Sequence, residues 1–170
     1  MILFILLFSF NVNANKADFT ACKSTYALCT TALCQPIPGK KGSVTCFCDV
    51  KTGYSAGTRA CSGVIESKHK QEISSRYYPI KAYERCSNDR PWAFCLDSPC
   101  IIDSINPSKA LCLCSLLQNQ GDYVAVKEGQ NPTSCTSGIY SSATVDDINQ
   151  ITDFLKGQTD LQPYKVKVSQ

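Results

Sequence analysis

The residues in this chain best able to do chemistry are its twelve cysteines, which fall into two series of six. The first series is Cys22, Cys29, Cys34, Cys46, Cys48 and Cys61; the second is Cys86, Cys95, Cys100, Cys112, Cys114 and Cys135. Metal ligation, thiol redox chemistry and structural disulfides compete for such a set. Zinc sites favour mixed Cys/His ligands with C-x2-C spacing. This chain has no C-x2-C pair and a single histidine, His69. Cys46 and Cys48, like Cys112 and Cys114, form C-x-C pairs, and a thiol beside a resolving thiol is a redox arrangement. Both pairs, however, sit inside even sets with no cysteine left over, which favours structural disulfides. No metal and no cofactor are expected.

The other reactive side chains are sparse. His69 lies between Lys68 and Lys70, and neighbouring positive charge makes an imidazole a poorer base. The sequence has no Gly-rich phosphate loop, no nucleophile elbow and no nucleophile supported by histidine. Carboxylates are available at Glu84, Asp89, Asp97, Asp103 and Asp122. Two of them at the right separation could hydrolyse a glycoside, so a carboxylate hydrolase is one alternative. Lys40 and Lys41 lie in the turn-rich stretch between Cys34 and Cys46, and Lys109 lies in its counterpart before Cys112. Turn residues place both stretches at the surface, and loops held by cysteines lose less entropy on binding. Lysine-presenting loops of this kind make a protease inhibitor a second alternative. Tyr77, Tyr78, Tyr83 and Trp92 cluster around the middle of the chain. Each offers an apolar face with a polar tip, as binding surfaces do, although small cores use the same residues.

The elements that hold these residues follow from spacing. From the second to the fifth cysteine of each series the offset is 66 residues, and both halves read C-x4-C-x11-C-x-C. One stapled unit is therefore used twice, as residues 15–64 and 86–144, with an extended connector at 65–85. Six cysteines allow 15 pairings, which the spacing leaves open. Apolar β-formers surround both C-x-C pairs, predicting a short strand in each. Residues i and i+2 of a strand share a face, so the two sulfurs lie side by side and reach different partners. A disulfide contributes about 2–4 kcal/mol, which matters in a module of roughly 50 residues with little core of its own. In the last segment, 145–170, Val145, Ile148, Ile151 and Leu155 recur at helical spacing. Thr144 and Asp147 form a near capping box and Gly157 a stop, predicting a helix over 145–156. The tail from Tyr164 to Val168 alternates like a strand with a lysine face. The expected fold is a small disulfide-rich α+β protein: two related six-cysteine modules with short strands, plus a C-terminal helix.

Residues 1–14 read as a secretory signal. Ile2 to Phe10 is almost unbroken apolar sequence, and Val12-x-Ala14 offers a small-residue cleavage site. The run is too short for a membrane-spanning helix, which takes about 20 residues, so no span is expected in the mature chain. A net charge of +3 is too mild to imply a nucleic-acid or membrane partner. Asn106-Pro107-Ser108 and Asn131-Pro132-Thr133 both carry the proline that blocks N-glycosylation, which points to bacterial secretion.

Two resemblances add to this reading. The segment Cys46-Phe47-Cys48, then Gly53-Tyr54, then Cys61 resembles the ending of an epidermal growth factor-like module. That resemblance implies pairing of Cys22 with Cys34, Cys29 with Cys46, and Cys48 with Cys61. The segments Ser75 to Lys81, Arg90 to Cys100 and Gly138 to Thr144 resemble an uncharacterised family of secreted cysteine-rich proteins of Gram-negative bacteria, over roughly residues 20–156. It implies export and carries no catalytic residues. The sequence thus reads as a secreted or periplasmic, non-enzymatic binding or effector protein with a protein or cell-surface partner.

Overall fold

In a computed structural model, residues 18–68, 70–77, 82–126, 135–162, 165 and 167–169 are described. The proposed signal segment, His69 and Tyr78 lie outside them. Within the first half run β1 (Thr20–Leu28), β2 (Leu33–Pro36) and β3 (Ser43–Gly57), followed by β4 (Ile65–Ser67) and β5 (Lys70–Ser74). Then come β6 (Ala82–Cys86), β7 (Trp92–Phe94), β8 (Pro99–Ile102), β9 (Lys109–Leu117), β10 (Tyr123–Val126) and β11 (Ile139–Thr144). The chain continues through α1 (Val145–Lys156), a 3-10 turn (Thr159–Leu161) and β12 (Lys167–Ser169).

This architecture corrects the α+β expectation. Strand accounts for 52% of the structure and helix for 11%, and the sheet closes on itself like a barrel. Among the described residues, the pairings form two closed circuits. One runs β2–β3–β9–β7–β11 and back to β2. The other runs β8–β9–β3–β1–β5 and back to β8, with β1 and β5 joined by a bridge between Ala27 and Ser75. They share the antiparallel β3–β9 ladder. Short strands separated by turns were legible, but their number and closure were not. The residues that close the circuits, Ser74, Ser75, Ser141 and Ser142, are small and polar and carry no strand signature. They pair because they fall between strands whose backbones need partners.

The 66-residue offset governs the geometry. Adding it to the pair Cys34↔Cys46 gives Cys100↔Cys112, and adding it to Pro36↔Val44 gives Ile102↔Ala110. Ala27↔Val50 likewise becomes Ala93↔Leu116. Across the shared ladder, Ser43↔Ser115 and Asp49↔Lys109 are counterparts, and Cys46↔Cys112 maps onto itself. The halves are thus related by an internal two-fold through the two central cysteines. They also exchange strands. Ile73, which follows the first unit, pairs with Cys100 of the second; its counterpart Ile139 pairs with Cys34 of the first. In the second half the long strands β1 and β3 are each represented by two pieces, β6 with β7 and β9 with β10.

Six disulfides pair the cysteines as nested loops, and both units use the same order. They are Cys22–Cys61, Cys29–Cys48 and Cys34–Cys46, then Cys86–Cys135, Cys95–Cys114 and Cys100–Cys112. This is not the pairing implied by the growth factor-like resemblance. In that order Cys46 would bond Cys29, but Cys46 sits directly across from Cys34 in the ladder, with a Cα–Cα distance of 4.0 Å. The C-x-C sulfurs do share a face and reach separate partners, as an extended backbone requires.

Three cores result. Eight cysteines with Ala27, Val44, Ile73, Ala93 and Ala110 form the first, around the shared ladder. The second lies under α1, where Ile148, Ile151 and Leu155 meet Tyr77, Tyr83, Val124 and Ala143. The helix starts at a complete capping box between Thr144 and Asp147 and ends at Gly157. The third holds Trp92 stacked on Tyr123 at 5.9 Å, beside Cys86.

Candidate interaction face

The shared ladder has two faces with opposite character, because side chains alternate along a strand. The inner face carries the cysteines. The outer face carries the residues between and beside them: Phe47 on β3, Leu111 and Leu113 on β9, Ile101 on β8 and Leu33 on β2. Pairing places several of them in one row. Phe47 stands across from Leu111, Leu111 from Ile101, Ile101 from Glu72, and Glu72 from Ile65 on β4. Leu113 stands beside the row, across from Thr45. From β2 to β4 the face spans six adjacent strands, or about 24 Å at 4.8 Å per gap. The six large apolar side chains on it expose between 44% (Leu111) and 52% (Ile65) of their surface.

Charges at the margin of the row are largely paired, with one positive charge in excess. Lys109 bonds Asp49 at 2.5 Å, with Lys51 at 3.9 Å from the same carboxylate, and Lys70 bonds Glu72 at 2.5 Å. The face therefore presents apolar surface with little net field.

The aromatic candidates from the sequence are elsewhere. Tyr77, Tyr83 and Trp92 are buried, at 9%, 7% and 2% exposure, and fill the second and third cores. Lys40 and Lys41 are exposed in the β2–β3 hairpin. There the Lys40 N–H donates to Ile37 O at 3.0 Å, so Lys40 closes a turn. Lys109 is held by Asp49.

Among the carboxylates, Asp97, Asp103 and Asp122 have structural partners. Asp97 is buried against Arg76, with Asp97 Oδ1 at 3.4 Å from Nη1, and accepts from Thr58 N at 2.7 Å and Thr58 Oγ1 at 2.8 Å. Arg76 in turn donates to Thr20 O at 2.7 Å, Arg59 O at 3.1 Å and Ser55 Oγ at 3.1 Å. Burial lowers the pKa of this guanidinium, and Asp97 opposes the shift. At the counterpart positions, 66 residues away, stand Ser142 and Thr31; the clasp is a departure from internal symmetry. Asp103 accepts from Ile105 N and Asn106 N within its own hairpin. Asp122 pairs with Arg85 at 2.7 Å. Glu84 lies on β6, and Asp89 is exposed between β6 and β7.

A cleft of about 20 Å³ lies between the halves, lined by the counterpart pairs Thr30/Leu96, Ser75/Ser141 and Tyr77/Ala143. That is room for a water, which needs about 10–15 Å³. Sulfur triads close enough to hold a metal occur in the first core, such as Cys34, Cys46 and Cys95. Every one of those cysteines is in a disulfide, and a disulfide sulfur is not the thiolate that binds metals.

The outer face was missed in the sequence, although a signal was present. In Cys46-Phe47-Cys48 and Leu111-Cys112-Leu113-Cys114, cysteines turned inward force the residues between them outward. Comparison with family models, with curated proteins and with solved structures finds no match for this chain.

Proposed function

We propose that this is a non-enzymatic binding protein of an oxidising, extracytoplasmic compartment, and that the outer face of the β3–β9 ladder is where a protein partner docks. The compartment reading rests on six disulfides, which persist only where thiols are not kept reduced. Among the described residues no helix is long and apolar enough to cross a membrane. The binding reading rests on one observation, the run of half-exposed side chains Phe47, Leu111 and Ile101 on adjacent strands, with Leu33 and Leu113 beside it and Ile65 beyond the salt-bridged Glu72. Contiguous apolar patches on otherwise polar surfaces mark interaction sites. An apolar face with a single excess positive charge among its paired marginal groups favours an apolar protein surface over an anionic lipid or nucleic acid.

The magnitude sets the kind of complex. Burying the exposed half of one such side chain gains about 1 kcal/mol, so six give about 6 kcal/mol. Association costs about 4 kcal/mol or more. The face alone therefore supports a reversible complex rather than a permanent one.

A photo-crosslinking residue in place of Phe47 tests this. It is expected to trap a discrete species from extracytoplasmic extract that the same group at Lys41 does not trap. Equal products from both positions, or none from Phe47, would overturn the reading.

A further inference from the structure

The four inner disulfides lie close together in the first core. Cys95 Sγ lies 3.5 Å from Cys46 Sγ, although Cys95 is bonded to Cys114 and Cys46 to Cys34. The sulfurs of Cys34, Cys46 and Cys95 all lie within 4.8 Å of one another, and so do those of the counterpart set Cys100, Cys112 and Cys29. A third group, Cys29, Cys95 and Cys114, joins the two. The bonds thus follow in sequence as 34–46, 95–114, 29–48 and 100–112, and every step crosses between the halves. All eight cysteines are at most 4% exposed.

We propose that these four disulfides form one thiol–disulfide exchange relay, independent of the docking face. The reaction needs a thiolate within reach of a disulfide sulfur, and a preset contact replaces diffusional encounter. The step at the closest contact is balanced without an outside oxidant. A Cys95 thiolate attacks Cys46 Sγ, the Cys46–Cys95 bond forms, the Cys34–Cys46 bond breaks, and Cys34 leaves as the thiolate. The counterpart step opens Cys100–Cys112 from Cys29. A thiol left unpaired during oxidative folding is thereby passed between halves, and wrong pairs are corrected inside the core rather than through solvent.

A Cys114→Ser protein, secreted into an oxidising compartment, creates the thiolate without added reagent. After acid quenching, alkylation in denaturant and peptide mapping, the free thiol is expected at Cys34 as well as Cys95, with a Cys46–Cys95 bond present. A Cys61→Ser control, which frees Cys22 outside the stack, is expected to keep its thiol at Cys22. A free thiol confined to Cys95 would overturn the relay. If Cys114→Ser does not accumulate, the wild-type chain is partly reduced with a limiting phosphine and trapped in the same way. A Cys46–Cys95 bond in that sample supports the relay, and native pairs alone at every extent of reduction overturn it.

Discussion

Replacing Arg76 by Met tests how the two halves are locked. Arg76 and Asp97 are 4% and 6% exposed, so neither charge is screened by solvent as a surface pair is. Removing Arg76 leaves a buried carboxylate with only the two Thr58 donors. It also strips three acceptors, Thr20 O, Arg59 O and Ser55 Oγ, of their donor. Breaking a buried pair from one side costs about 3–5 kcal/mol. In a chain of this length that is a fall in Tm of roughly 10 °C, at about 2–4 °C per kcal/mol. Asp97→Asn is milder, about 1–3 kcal/mol, because an amide oxygen still accepts from Thr58 and Asn tolerates the positive φ of 54° at this position. The double variant should cost less than the sum, since the stranded charge is gone. Arg76→Lys should not rescue, because one ammonium cannot reproduce the planar fork. The assay is chemical denaturation with the disulfides intact, run as a double-mutant cycle. A cost below about 1 kcal/mol for Arg76→Met, or strict additivity, would refute the reasoning.

Further outcomes follow from particular contacts. Gly57→Ala should damage the same clasp, because an added Cβ would sit 2.9 Å from Arg76 Nη1 and closer still to Asp97 Oδ1; unchanged stability would mean the clasp is slack. Thr31 has φ 61°, a conformation that strains a β-branched residue, so Thr31→Gly should stabilise by about 0.5–1 kcal/mol, read as a raised denaturation midpoint. The Tyr77 hydroxyl is buried with no hydrogen-bond partner among the described residues, and burial, with Asp147 and Asp97 nearby, pushes its pKa well above the ordinary phenol value. Its folded pKa exceeds its unfolded one, so the folded chain holds the proton longer and stability falls as pH rises through about 10. Tyr77→Phe should therefore be neutral or stabilising at pH 7 and flatten the alkaline loss, measured by denaturation from pH 7 to 11. Under native conditions a phosphine should open Cys22–Cys61 before the inner bonds, because Cys61 is exposed and the inner sulfurs are buried; timed alkylation and mass mapping report the order.

The sequence by itself determined the duplication, the terminal helix and the alternation around each C-x-C pair. These are local facts, fixed by the spacing of Cys46, Cys48, Cys112 and Cys114 and by the helical repeat of Val145, Ile148, Ile151 and Leu155. Local pattern does not say what a strand pairs with, and every decision of that kind was made by the tertiary structure. Ile73 reads as part of the connector and Ile139 as part of the second unit, yet Ile73 pairs with the second unit and Ile139 with the first, because a two-fold axis at Cys46 and Cys112 brings those strand edges together. Nested disulfides follow, since β2 lies directly against β3 and places Cys34 across from Cys46. Tyr77, Tyr83 and Trp92 have the composition of a binding surface but fill cores left by a sheet that closes on itself. Phe47, Leu111 and Ile101 stand outside, because the buried side of their strands is already filled with sulfur.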